Sequence, residues 1–213
     1  MKTLALIKRR SDTTRDAFRD HYEQVHAPLA IDTLLEGVAR YVRYHLREEI
    51  FGEPGFDVVT GFWYRGVEAA LDVQRRLTGP EGERILQDEL TFMDKPANTF
   101  FPVTEHPVAG KQDPEAGLRA IAMARAPAGV GVAEFVGRYE ADRVPALLDA
   151  VREPRWCLQQ RAVRIGAERP AFDVVTQLHA QGDAGLAAWA RDLEGAGARV
   201  VVASVSEHES ELP

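Results

Sequence analysis

His26, His45 and the pair Asp88-Glu89 are the residues of this chain best suited to chemistry. An imidazole changes charge near neutral pH, so His26 and His45 suit general acid–base work in a small apolar pocket. His26 follows Tyr22 by four residues and Phe18 by eight, which puts all three on one face of a helical stretch. The competing role for His26 is structural, because a cation is favoured at a helix C-terminus. His45 alternates with Arg43 and Tyr41, so a strand sets a base, a cation and a phenol on one face. Val38, Arg40, Val42, Tyr44 and Leu46 fall on the other. Whether the Tyr41–His45 face looks into a barrel, or meets solvent or a helix edge, stays open at this level. Adjacent carboxylates at Asp88 and Glu89 would raise one another's pKa if buried together, and would otherwise close a solvated helix. Phe92 stands one helical turn beyond them, and Phe62 and Trp63 point to opposite faces of a strand. Asp57 and Asp173 each open a strand after a turn, which suits a cap more than chemistry.

Other chemistries are excluded by what the chain lacks. The net charge is −7 and no run of Lys or Arg stands clear of acids, which argues against nucleic acid. The single cysteine, Cys157, has no internal disulfide partner and no evident activator, and no Cys/His cluster has zinc spacing. There is no Gly-x-Ser-x-Gly elbow, no phosphate-binding loop and no Gly-x-Gly-x-x-Gly; Gly129-Val130-Gly131 lacks the third glycine. No apolar run reaches the length of a membrane span, and Met1 to Ile7 reads as a first strand rather than a leader. A cytoplasmic protein with no metal and no cofactor is expected.

The elements that must position these residues come twice. The composition is 45% hydrophobic and 28% charged over 213 residues, room for two modules of roughly 100 residues. Sliding the sequence on itself sets Leu6 on Met123, Lys8 on Arg125, Phe18 on Phe135, Tyr22 on Tyr139 and Pro28 on Pro145. Phe56-Asp57-Val58-Val59-Thr60 recurs letter for letter as Phe172-Asp173-Val174-Val175-Thr176, and Val103-Thr104-Glu105-His106 matches Val205-Ser206-Glu207-His208. Within the first copy, Thr3–Ile7, Val38–Leu46, Phe56–Tyr64 and Thr99–Glu105 read as strands. Asp12, Thr13 and Thr14 offer caps for a helix that Pro28 stops or kinks. A second helix follows Val67, broken at Gly79-Pro80-Glu81-Gly82 and resumed from Glu83 to Leu90. The order is β-α-β-β-α-β, a ferredoxin-like module, and the second copy repeats it. We expect an α+β fold in which two tandem modules, 1–106 and 118–213 joined by a linker at 107–117, pair their sheets into a pseudo-dimeric barrel within one chain. A further homodimer of the pseudo-dimeric chain is allowed.

The first copy also resembles a known family. Lys8-Arg9-Arg10, His21-Tyr22-Glu23-Gln24-Val25-His26-Ala27-Pro28-Leu29, Arg40 to His45, Phe62-Trp63, Gly79 to Gly82 and Gln87-Asp88-Glu89-Leu90-Thr91-Phe92-Met93-Asp94, in that order, are similar to the EthD domain of the dimeric α+β barrels. The resemblance covers roughly 1–106. In the second copy His26 becomes Arg143, His45 has no clear counterpart near Arg161, and the Asp88 block falls in a deletion of about 14 residues. The resemblance implies a site in the first copy, and a hydrophobic, aromatic or polyketide-like ligand. The activity it suggests is cofactor-free dehydration, cyclisation or isomerisation, with His26, His45 and Asp88 catalytic and Tyr22, Tyr41, Arg43, Trp63 and Phe92 binding substrate. A non-catalytic small-molecule binder, or haem or oxygen chemistry with His21 or His26 as axial ligand, remain the alternatives.

Overall fold

Strand β1 (Lys2–Ile7) opens the fold and is buried along most of its length. The computed structural model describes residues 1–111, 117–151, 153–165 and 169–212, with the backbone alone at Leu34 and Leu35. The strands β2 (Val38–Phe51), β3 (Val58–Tyr64), β4 (Thr99–Gly110), β5 (Leu118–Arg125), β6 (Trp156–Ala162), β7 (Val174–Ala180) and β8 (Arg199–Ser210) follow. They hydrogen-bond in the order β1-β3-β2-β8-β5-β7-β6-β4, an α+β barrel in one polypeptide. Residues 107–110, placed in the linker by the sequence, belong to β4, whereas 112–116 lie outside the described residues.

The first unit takes Met1–His45, Gly55–Pro102 and the C-terminal segment from Glu207. In it β3 is flanked antiparallel by β1, with Ile7 opposite Val58, and by β2, with Arg43 opposite Thr60 and His45 opposite Val58. Helices α1 (Arg15–His21), α2 (Ala27–Leu34), α3 (Val67–Thr78) and α4 (Pro80–Phe92) cover one face of this sheet. Thr14 caps α1, its hydroxyl accepting from the Ala17 amide at 3.2 Å. The core between helices and sheet holds Ala5, Ile7, Phe18, Tyr22, Val38, Tyr41, Val58, Ile85 and Phe92. Tyr41 therefore faces the helices. So does Val38, which alternation had set on the opposite face. A register shift between Val38 and Arg40 carries it across, because an extra residue in one strand reverses the side on which its neighbours emerge.

The sequence expected Pro28 to stop or kink the first helix, and the helix in fact runs on to Leu34. Between α1 and α2 lies a π-helical turn, Tyr22–His26, in which the Ala27 amide donates to the Tyr22 carbonyl. A proline cannot send an amide back to the carbonyl four residues earlier, and its ring crowds that carbonyl. The wider turn immediately before it absorbs both defects.

The second unit takes Leu46–Pro54 and Val103–Ser206. Here β7 pairs with β5 and β6, β5 with β8, and β6 with β4, all antiparallel. Helices α5 (Val132–Arg138), α6 (Val144–Ala150) and α7 (Leu186–Gly195) pack on it around Tyr139, Leu147, Trp189 and Leu193. A second π turn, Tyr139–Arg143, joins α5 to α6 just before Pro145. Each unit buries the same bond beneath its π turn: Tyr22 to Thr60 at 3.0 Å in the first, Tyr139 to Thr176 at 2.9 Å in the second. Each also buries a strand-opening aspartate as a tie. Asp57 accepts from the Arg9 amide at 3.1 Å and Asp173 from the Ala126 amide at 2.8 Å.

Tyr139→Phe leaves the Thr176 hydroxyl buried without a partner, so urea unfolding should show a loss of about 1–2 kcal/mol. Adding Thr176→Val should recover part of it, since both polar partners are then gone.

Candidate functional site

Chemistry-bearing side chains gather in the first unit on the helix-covered face of the sheet, and the π turn supplies three of them: Tyr22, Glu23 and His26. They form two clusters with Tyr22 between, its ring 4.9 Å from that of His26 and 5.5 Å from that of His45.

In the first cluster the Asp88 carboxylate, on α4, bridges two imidazoles. Oδ2 is 2.8 Å from His26 Nδ1, and Oδ1 is 2.7 Å from His21 Nε2. Phe92, one turn further along α4, packs 5.3 Å from the His26 ring and 4.4 Å from that of His21. Burial pushes the Asp88 carboxyl up, but the hydrogen bonds from His26 and His21 outweigh it and hold the group below its ordinary value. The sequence had weighed an upward shift from Glu89. Instead Glu89 turns away to an ion pair with Lys95. An ionised Asp88 is an acceptor only, so of the two neutral tautomers of His26 it selects the one with the proton on Nδ1 and the lone pair on Nε2. Carboxylate orienting imidazole is the arrangement of a general base and its positioning group.

The second cluster centres on Glu23. Arg43 grips it with Nε 3.0 Å from Oε1 and Nη2 on Oε2, and His45 Nε2 lies 2.6 Å from Oε1. The C-terminal end of β8 closes the group: Arg43 donates to the Ser210 hydroxyl at 2.6 Å, and the His208 ring stands edge-on to His45 at 5.3 Å. Burial pushes the Glu23 carboxyl up, and the bonds from His45 and Arg43 overcome this to bring it to about 2. Burial lowers the His45 imidazole despite Glu23. It also lifts the phenol of Tyr22 to about 12 and that of Tyr41 well above 10, so neither titrates near neutrality. Tyr41 stacks on Phe62 at 5.0 Å and carries the Arg43 guanidinium over its ring.

Of the residues expected from sequence, His26, Asp88, Tyr22 and Phe92 come together, and His45, Arg43 and Tyr41 form the neighbouring group. Trp63 does not join them. It stands between Lys2 and Arg40, whose charged groups lie 3.7 and 4.7 Å from its ring centroid. His21, Glu23, His208 and Ser210 complete the clusters. His21 had been named only as a possible haem ligand, Glu23 was visible only as a letter of the family motif, and His208 only as the partner of His106 in the repeat.

The corresponding places in the second unit hold arginines. The pairing of β6 with β7 puts Arg161 opposite Val174, as His45 is opposite Val58, and Gln159 opposite Thr176, as Arg43 is opposite Thr60. Arg161 grips Glu140, and Arg143 pairs with Asp192 on α7. By register Arg161 stands where His45 does, so a counterpart exists there, and the second unit keeps ion pairs without imidazole. Cys157 is fully buried, its thiol pushed up to about 12 by burial.

Residues 10–96 match the model of the EthD domain. This stretch lies mostly within the first unit, which is thus similar to the EthD domain, and the chain has an α+β barrel fold. Over 98% of this chain and 92% of the other, the fold is similar to the crystal structure of an anthrone oxidase-like protein, with TM-score 0.62 and 12% identity. A putative monooxygenase from Lactobacillus acidophilus matches over 98% and 94%, with TM-score 0.50 and 8% identity. One from Fusobacterium nucleatum matches over 100% and 95%, also with TM-score 0.50 and 8% identity. No curated protein matches the chain in sequence. Among the described residues no cluster of three or more His, Cys, Asp or Glu fits a metal, and no helix is long and apolar enough to cross a membrane.

Because the fold favours ionised Glu23, the stability it contributes is complete above about pH 4.5 and is lost as the pH falls towards 2. Glu23→Gln should flatten the fall in melting temperature across that window. Glu23→Ala, which strands buried Arg43, should cost roughly 3 kcal/mol at neutral pH.

Proposed function

We propose that the chain is a cofactor-free enzyme that moves a proton on a hydrophobic, aromatic or polyketide-like molecule bound in the first unit. The reaction class is dehydration, cyclisation or isomerisation. His26 is the acid–base residue and Asp88 its orienting carboxylate. The observation that carries this reading is the 2.8 Å contact of His26 Nδ1 with Asp88, which leaves Nε2 as the reactive nitrogen. Phe18, Tyr22 and Phe92 give the site an aromatic wall, and such surfaces suit planar apolar ligands. His21, on the other Asp88 oxygen, holds the carboxylate ionised and in place.

The same reading makes the two units unequal copies of one module. An arginine cannot surrender its proton in a protein, so the pairs Arg143–Asp192 and Arg161–Glu140 serve structure. The structurally similar anthrone oxidase-like protein is compatible by its name with polycyclic aromatic ligands, which supports the ligand class and leaves the reaction to experiment.

The test is a turnover screen with hydroxylated polycyclic ketones. His26→Ala should lose about 10²–10⁴ in rate, the span general acid–base catalysis supplies. Asp88→Asn should lose at least about tenfold while keeping ligand affinity, because the ring loses its orientation and tautomer. The pH profile of the rate should follow the His26 titration observed by NMR. An unchanged rate in His26→Ala would remove His26 from the mechanism.

A further inference from the structure

The second cluster contains a group that the proton-transfer reading does not use. His45 is 3% exposed, and its Nδ1 is buried with no hydrogen-bond partner among the described residues. Its other nitrogen is committed to Glu23 at 2.6 Å. Glu23 is ionised and accepts only, so Nε2 is the donor and the orphan Nδ1 of a neutral ring is a lone pair. The ring stays neutral because Arg43 already neutralises Glu23 and burial lowers the imidazole.

A structural ion pair does not require this arrangement. At the matching register of the second unit, Arg161 satisfies Glu140 by itself, and no ring nitrogen is left over. The first unit moves the arginine two residues back, to position 43, and adds a histidine at 45 on the same face. The salt bridge is kept and a hydrogen-bond acceptor is gained. An acceptor buried without a donor costs about 1–3 kcal/mol, which a ligand hydroxyl would offset. The ring contacts of His45 are Phe18 at 6.4 Å, Tyr22 at 5.5 Å and His208 at 5.3 Å. Two of these rings are buried, whereas the His208 side chain is 39% exposed.

We propose that the Glu23–His45 pair is a hydroxyl-recognition element: His45 Nδ1 accepts the O–H of a hydroxyarene whose rings lie against Phe18 and Tyr22. The proposal rests on the reading that the first unit binds an aromatic small molecule, and it names the functional group by which that molecule is chosen. His45 here selects the ligand, and His26 alone carries the proton chemistry.

The test compares 1-naphthol with 1-methoxynaphthalene, which differ in the O–H, by calorimetry on the full chain. The wild type should bind 1-naphthol at least about tenfold more tightly, equivalent to about 1.4 kcal/mol. His45→Phe should bind both alike, while His26→Ala keeps the preference. In uniformly ¹⁵N-histidine-labelled wild type, 1-naphthol should shift the His45 Nδ1 resonance and the methyl ether should leave it in place, a readout independent of whether His45→Phe folds. Equal affinities in the wild type, or failure of 1-naphthol to bind or to move Nδ1, would overturn the proposal and leave the His26 turnover test standing. Loss of turnover screening activity in every variant and the wild type, with the naphthol preference intact, would instead remove the His26 reading and keep this one.

Discussion

A buried hydroxyl–hydroxyl bond, Tyr22 to Thr60, fastens the long helix of the first unit to β3, at the start of the π turn. The turn matters because of what one extra residue does. In a regular helix each residue advances about 100° around the axis. Without the inserted residue, everything beyond the turn would be rotated by about that angle. Within the turn itself Glu23 meets Arg43 and His45, and His26 meets Asp88 on α4. The second unit repeats the bond, the turn and the following proline, so this is a property of the module and not of the site.

What differs between the units is the conjugate acid offered to each carboxylate. In the first, Asp88 meets two imidazoles, and Glu23 meets an imidazole and a guanidinium. In the second, Asp192 and Glu140 meet guanidinium groups. The two sets of pairs differ in acid–base capacity, since imidazole exchanges its proton near neutrality and guanidinium does not. The second unit thus holds its carboxylates in ion pairs with arginines where the first uses histidines.

Much of the fold was legible because it rests on local chemistry. Alternation and β-branched composition marked the strands, and Gly79-Pro80 marked the break between α3 and α4. The matched blocks around Asp57 and Asp173 marked equivalent ties. Pro28 misled, because a proline's effect depends on whether the preceding turn is α or π, and a helical periodicity of letters does not distinguish them at that length. Val38 misled because a bulge moves a residue across the sheet without altering the pattern. Asp88 was visible as half of an acidic pair, yet its neighbour Glu89 proved irrelevant to it: adjacent helical residues diverge by about 100°, so Glu89 met Lys95 while Asp88 met the histidines.

The sequence by itself determined the order of elements, the likeness of the first half to the EthD domain, and which half keeps its histidines. These follow from periodicity, turn residues and identity of letters, all of them properties of neighbours along the chain. The tertiary structure alone decided that the Tyr41–His45 face lies under helices, that His21 and His26 share one carboxylate 60 or more residues away, and that His208 and Ser210 return from the C-terminus to close the group around Glu23. Those are distances across a sheet and between packed helices, set by hydrophobic burial and register, and no local pattern encodes which buried nitrogen is left without a partner.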